Sequence, residues 1–149
     1  IANRGYYYPP HLVKQFSNNT FSIPDRFQVR KQTAVDPLHF IPVVDGMHQA
    51  VEYGTGTLAK IKDVEVCGKT GTSQNPHGKD HSVFFAFAPK ENPKIAIAVY
   101  VEKGGWGSSY GSPIAGLMIE KYLQDSIAPN KQWIEDRMIN ADLINLPNP

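Results

Sequence analysis

Lys69-Thr70-Gly71-Thr72 is the segment of this 149-residue chain whose residue types combine into chemistry. The lysine supplies a fixed positive charge. The two threonines supply short hydroxyl donors for a carboxylate, and the glycine removes a side chain so that another backbone can approach closely. At an exposed sheet edge, the unpaired N–H and C=O groups of such a segment accept an extended peptide as an added strand. An N–H following the glycine can stabilise a developing oxyanion. Together these parts describe a site for a carboxylate-ended peptide undergoing acyl transfer. A four-residue match also arises by chance, and an ordinary strand end is the plain alternative. Gly68-Lys69-Thr70 has the letters of a phosphate-binding loop's tail as well. That motif requires a glycine five positions before Gly68, where Asp63 stands, and a helix after the threonine, where Gly71, Asn75, Pro76 and Gly78 follow. Nucleotide binding is therefore set aside.

The elements that must position this segment can be read around it. Val64-Glu65-Val66-Cys67 reads as a strand leading into Gly68-Lys69-Thr70-Gly71-Thr72, with a polar loop from Ser73 to Asp80. Val83 to Pro89 and Lys94 to Val101 flank the turn Lys90-Glu91-Asn92-Pro93, a β-hairpin pattern. Both strands are apolar on both faces, which predicts central strands covered on each side. The alternation of Ala96 and Ala98 with Ile95, Ile97 and Val99 predicts that the alanine face admits a closely packed helix. Ser112-Pro113 predicts a capped helix start, with Ile114, Leu117, Met118 and Tyr122 as its packing stripe and an end at Asp125 to Pro129.

Upstream, Ile1-Ala2-Asn3-Arg4-Gly5 reads as a helix end stopped at glycine, so a cut inside a longer protein is expected. Tyr6 to Val13 is aromatic and β-branched with two prolines, a strand edge or extended connector in which Tyr6 to Tyr8 pack. Ser17 to Thr20 is turn chemistry, and Arg26 to Val35 reads as a short strand. Asp36-Pro37 starts a helix that Pro42 interrupts, and a second helix runs from Val43 to about Tyr53, stopped by Gly54. Its stripe is Val43, Met47, Ala50 and Val51. Gly54 to Thr57 is loop. The tail carries an amphipathic stretch from Trp133 to Ile139, with Trp133, Ile134 and Met138 expected to dock it.

Composition limits the function classes. Hydrophobic residues form 41% of the chain, enough for a core, and 15 Lys plus Arg against 14 acids give a net charge of +1. That balance excludes a nucleic-acid footprint and a polybasic membrane patch. The longest apolar run, Ile95 to Val101, is strand-sized and far short of a membrane span. A single cysteine, Cys67, excludes an internal disulfide framework and reads as a small core residue. His77 and His81 with Cys67 lack compact ligand spacing, so no metal and no cofactor is expected. His81 reads as a residue that positions the loop beside the cleft, and Trp106 as a cleft rim or a lid.

Lys-Thr-Gly is a signature of β-lactamases and penicillin-binding proteins. Around it, Gly54-Thr55-Gly56-Thr57, Gly68 to Gln74, Asp80 to Pro89, Asn92 to Val99 and Glu102-Lys103-Gly104-Gly105 stand in that family's order and spacing, as do Ala2-Asn3-Arg4-Gly5, Pro10-His11-Leu12 and the helix from Ser112. Over about its first 125 residues the chain resembles the C-terminal part of a class B penicillin-binding transpeptidase, and its Asp80-His81 pair and Glu-Lys-Gly-Gly run resemble the elongation rather than the division enzymes. The resemblance implies an α/β (α+β) fold of the serine β-lactamase-like type, an antiparallel sheet covered by helices. Residues 1–128 would be transpeptidase domain and 129–149 a tail. It implies a D,D-transpeptidase that cross-links peptidoglycan stem peptides through an acyl-serine and is acylated by β-lactam antibiotics. Lys69 would line the cleft, assisting proton transfer and attracting the carboxylate. Thr70 and Thr72 would bind that carboxylate, the Thr72 N–H would form half of the oxyanion hole, and Gly71 would keep the edge open. A periplasmic domain with one N-terminal membrane anchor, working with cell-elongation membrane proteins, is implied as well.

The family's Ser-x-x-Lys and Ser-x-Asn motifs lie upstream of Lys-Thr-Gly. No serine of this chain has a lysine three positions later, and Ser17-Asn18-Asn19 falls on the wrong side of the Ala-Asn-x-Gly segment. The expectation is an enzyme fragment without its nucleophile, inactive alone, with uncovered apolar sheet surface that drives self-association. The alternative is a non-catalytic module that keeps the fold to bind a peptide or partner.

Overall fold

The computed structural model describes residues 1–13, 17 and 22–145. They belong to two units, Ile1–Val43 and Val44–Pro149. In the first, Arg4 donates its N–H to the Ile1 carbonyl at 2.9 Å, closing a turn that ends at Gly5 with φ +105°. Only glycine adopts that conformation without strain. Thr33 N–H reaches the Gly5 carbonyl at 2.7 Å, so β1 (Tyr6–Tyr7) pairs antiparallel with a strand of the later segment. That segment is not the single strand expected over 26–35. A short helix, α1 (Asp25–Gln28), comes first and β2 (Lys31–Gln32) follows. Pro24 presets the backbone at the helix entry and Asp25 complements its N-terminal dipole, signals that outweigh β propensity here. The Arg30 guanidinium lies 3.8 Å over the Tyr6 ring and the Tyr8 ring meets Tyr6 edge-on at 6.4 Å, while Tyr7 and Tyr8 are otherwise exposed. The turn expected at Ser17 to Thr20 lies, apart from Ser17, outside the described residues.

Asp36 accepts the Leu38 N–H at 2.9 Å and caps a 3-10 turn, Pro37–His39, which runs directly into α2 (Phe40–Glu52). Pro42 therefore does not interrupt the helix. It sits in the first turn, where a missing N–H forfeits no intrahelical bond. The buried stripe of α2 is Phe40, Val44 and Val51, with Met47 and His48 half-buried, while Val43 is exposed. Gly54 does not end the helix through a left-handed backbone. A Cβ there would lie 2.9 Å from the Ala50 carbonyl, so the glycine permits a close chain crossing instead.

The second unit is built on a three-stranded antiparallel sheet, β3 (Cys67–Ser73), β4 (His81–Ala88) and β5 (Ile95–Val101), in that spatial order. The strand begins at Cys67 rather than Val64, which makes only an isolated bridge to Ile61. The register Gly68↔Ala86, Thr70↔Phe84 and Thr72↔Ser82, continued as Ala86↔Ile97, Phe84↔Val99 and Ser82↔Val101, sorts the side chains into two faces. One face carries Phe84, Ala86, Ala88 and Val99 and is covered by α3 (Gly111–Gln124). The other carries Phe85 and Tyr100, 55% and 57% exposed, with Ala96 and Ala98 also exposed. That second face is also covered at one end, where Cys67 and Phe87 are buried, and open along Phe85 and Tyr100, while α3 takes the β-branched face rather than the alanine face. At Gly116 the helix closes on the 3-10 turn Thr57–Ala59: a Cβ there would meet the Ala59 Cα at 2.7 Å.

Two expectations about α3 change. Its buried positions are Ala115, Gly116, Leu117, Ile119 and Glu120, whereas Met118 and Tyr122 are exposed. The helix is apolar around most of its circumference, so spacing alone does not select a face, and the small residues win the sheet contact. Ser112 does not cap the helix either. The Ser82 hydroxyl, from β4, accepts the Gly111 N–H at 3.0 Å and supplies the missing partner across 29 residues of sequence. Asp125 at φ +57° closes α3. Beyond it, α4 (Gln132–Ile139) docks through Ile134, 4% exposed, and leaves Trp133 outward. The buried Glu120 lies 3.0 Å from the Lys131 ammonium, which also donates to the Lys60 carbonyl at 2.6 Å. That ammonium ties the turn leading into α4 to α3 and to the chain at Lys60.

Phe84 is fully buried, and Cβ atoms built on Gly56, Gly68 or Gly111 would lie 3.2, 2.3 and 2.8 Å from it. Its replacement, Phe84→Ala, is expected to lower stability by about 3–5 kcal/mol, read as a lower urea midpoint.

Candidate active site

The candidate site lies along β3, which has one strand neighbour, β4, and forms an edge of the sheet among the described residues. The four sequence-predicted residues are consecutive within that strand, not beyond its end. Alternation puts Lys69 and Gly71 on the bare face with Phe85 and Val83, and Thr70 and Thr72 toward the α3 side with Phe84 and Ser82. Lys69 is exposed, and its ammonium donates to the Thr70 carbonyl at 2.7 Å. Thr70 is half-buried and Thr72 exposed. Cys67, fully buried two residues before Lys69, anchors the strand's start in the core.

The surroundings supply a residue that the sequence reading left in a loop. The Thr55 and Thr70 hydroxyls are hydrogen-bonded to each other at 2.7 Å, so one O–H is spent between them and the other stays available at the strand. The flanking glycines make this possible. Gly56 donates to the Ala50 carbonyl at 2.9 Å, and a Cβ on Gly56 would come within 3.1 Å of that same oxygen. The loop is thereby pressed against α2 and turned toward β3. His48 of α2 adds a second tie, its Nδ1 3.2 Å from the Val66 carbonyl and its Nε2 3.5 Å from Glu65. The signal for Thr55 was present in the sequence as a second Thr-Gly-Thr run, Thr55 to Thr57 beside Thr70 to Thr72, but nothing local says that the two runs meet.

The connection from β5 to α3 braces the same strand from the other side. Ser82 donates to the Trp106 carbonyl at 2.8 Å, and Gly105 N–H donates to the Asp80 carbonyl at 2.8 Å. The His81 Nδ1 accepts the Lys103 N–H at 3.1 Å, so its ring proton is on Nε2, and the ring packs 5.3 Å from Tyr100. His81 does position this loop, as its place in the sequence implied. Trp106, 73% exposed, stands at the loop's outer rim.

Gly107 and Gly71 then show opposite constraints. A Cβ on Gly107 would lie 2.4 Å from the Val83 carbonyl and 2.7 and 2.9 Å from the Gly71 carbonyl and nitrogen, all backbone atoms that cannot swing aside. At Gly71 a Cβ would make only an ordinary 3.5 Å contact with Val83. Among the described residues nothing requires glycine at position 71, and the strand edge there is left without side-chain bulk. Among the described residues no three metal-capable side chains gather. The arrangement offers an extended peptide a strand edge, two adjacent hydroxyls and one exposed cation. That suits a carboxylate-ended chain.

The contrast gives a paired prediction. Gly107→Ala is expected to destabilise the chain by about 1–3 kcal/mol through backbone overpacking. Gly71→Ala is expected to leave stability within about 0.5 kcal/mol while removing space above the strand edge. Urea denaturation of both variants checks this.

The penicillin binding protein transpeptidase domain matches residues 1–124. Peptidoglycan D,D-transpeptidase PbpA of Mycolicibacterium smegmatis is 32% identical over 137 residues, covering 84% of this chain and 27% of that protein. The crystal structure of Pseudomonas aeruginosa PBP2 in complex with WCK 5153 superposes with a TM-score of 0.67 at 34% identity, over 84% of this chain and 27% of that one. Penicillin-binding protein A from M. tuberculosis, as a ceftriaxone acyl-enzyme complex, gives a TM-score of 0.67 at 32% identity over 83% of this chain and 30% of that one. The chain spans little more than a quarter of the length of these relatives. The chain belongs to the penicillin-binding protein transpeptidase family.

Proposed function

We propose that this chain supplies the substrate-docking wall of a serine-type peptidoglycan D,D-transpeptidase. The observation that carries the reading is the edge position of β3, with Lys69, Thr70, Gly71 and Thr72 along it and no side-chain bulk over Gly71. A stem peptide aligns on that edge as an added strand. The Thr70 and Thr72 hydroxyls, with Thr55 beside them, receive its terminal carboxylate, and the Lys69 charge draws that carboxylate in and assists proton transfer. The Thr72 N–H forms half of an oxyanion hole. The attacking serine comes from a preceding segment that is not part of the 149 residues. Its oxygen adds to the D-alanyl carbonyl, the terminal D-alanine leaves, and an amine of a second stem peptide then displaces the serine. β-Lactams stop the cycle at the acyl-serine, in keeping with the ceftriaxone acyl-enzyme complex of the M. tuberculosis relative.

The parent protein would then be anchored in the bacterial inner membrane with its catalytic domain in the periplasm, beside membrane proteins of cell elongation. Among the described residues no helix is long and apolar enough to cross a membrane. A non-catalytic peptide-binding module is the second reading, and the intact Lys69-to-Thr72 edge disfavours it.

Fluorescent penicillin separates the two. The 149-residue chain is expected to stay unlabelled, while a longer chain carrying the preceding segment should label at a single serine. An unlabelled longer chain would defeat the enzymatic reading. The bare sheet face with Phe85 and Tyr100 is expected to make the 149-residue chain self-associate. Sedimentation showing a monomer at all concentrations would contradict that.

A further inference from the structure

Lys79, Lys103 and Arg137 converge on a cavity of about 610 Å³ on the far side of the loop that braces β3. They come from three separate places: the β3–β4 loop, the segment after β5, and α4. Their meeting is therefore a product of the fold and not of a basic run in the sequence. No carboxylate lines the cavity among the described residues. Three cations facing one space without a countercharge raise its potential and favour an incoming anion. The cavity is large enough for a sugar or a short peptide.

Its walls are fixed. Lys103 holds a left-handed backbone, φ +57°, which a non-glycine residue adopts only when its surroundings enforce it, here through its N–H bond to His81. Arg137 is oriented by donating to the Ser109 carbonyl. Trp106 is 73% exposed, yet its carbonyl accepts both the Ser82 hydroxyl and the Ser109 N–H at 2.8 Å, so an open indole is carried on a pinned backbone. Gly105 leaves the space beside it open, since a Cβ there would touch nothing within 4 Å. An exposed aromatic face next to cations suits a sugar ring that carries a carboxylate.

We propose that this cavity is a second substrate subsite, which holds a carboxylate-bearing glycan–peptide segment of the polymer away from the reacting bond. The identity of the polymer rests on the transpeptidase reading, whereas the preference for an anion rests on the cavity alone. Gly107 joins the two places, because it follows Trp106 and lies against the Gly71 backbone.

The test uses Trp133→Phe as background, so that tryptophan emission reports Trp106. The probe is a soluble disaccharide–tetrapeptide with free carboxylates, compared with the same compound amidated. A saturable emission change is expected for the acid form, with at least tenfold weaker binding of the amidated form. Lys79→Glu combined with Lys103→Glu should lose at least tenfold, and the milder Lys79→Gln with Lys103→Gln at least threefold, with far-UV circular dichroism unchanged. Lys69→Ala should retain the change. Equal binding of the two probes, or no loss in either lysine pair, would overturn the subsite. So would a loss confined to Lys69→Ala, which would place the ligand on β3 and leave the transpeptidase reading standing. Acid-selective binding together with an unlabelled longer chain in the penicillin experiment would overturn the assignment to peptidoglycan.

Discussion

Phe84 sets the spacing on which the second unit depends. Cβ atoms on Gly56 and Gly68 would fall within contact or clash distance of its ring, and one on Gly111 would meet the Phe84 Cβ and main chain, so a loop, the edge strand and the covering helix meet one residue where each has no side chain of its own. Dense packing of this kind transmits small displacements rather than absorbing them. The loop that delivers Thr55, the strand that carries Lys69 to Thr72 and the helix start held by Ser82 are consequently placed relative to one another by the same buried residue.

Around that core, two polar arrangements reach across the sequence. The Ser82 hydroxyl donates to the Trp106 carbonyl and accepts the Gly111 N–H, so one buried strand residue fixes a loop and caps a helix at once. The Glu120–Lys131 pair does comparable service at the other end of α3, where the carboxylate is 1% exposed and the ammonium also satisfies the Lys60 carbonyl. Buried charge is tolerated there because it is matched.

The hairpin, the edge motif and the helix after it were legible in the sequence because each is written locally. Alternating apolar runs give β4 and β5, Asp36-Pro37 gives the cap and first turn leading into α2, and the four residues of the motif are contiguous. What was not legible depends on distant partners. The pairing of Thr55 with Thr70 and the capping of α3 by Ser82 join residues 15 and 29 positions apart. The face of α3 was misread because an almost uniformly apolar helix has no phase. Pro42 was misread because a proline's effect depends on which turn it occupies, and the true helix start lay three residues earlier than expected.

The contact between Gly107 and the main chain of Gly71 links a variable kind of structure, a surface loop, to an invariant kind, a strand edge. On the transpeptidase reading, any change that tilts this loop alters the width of the groove where a drug lies, although no group touching the drug has been replaced. On that same reading, antibiotic susceptibility would drift while the Lys-Thr-Gly-Thr signature stays intact.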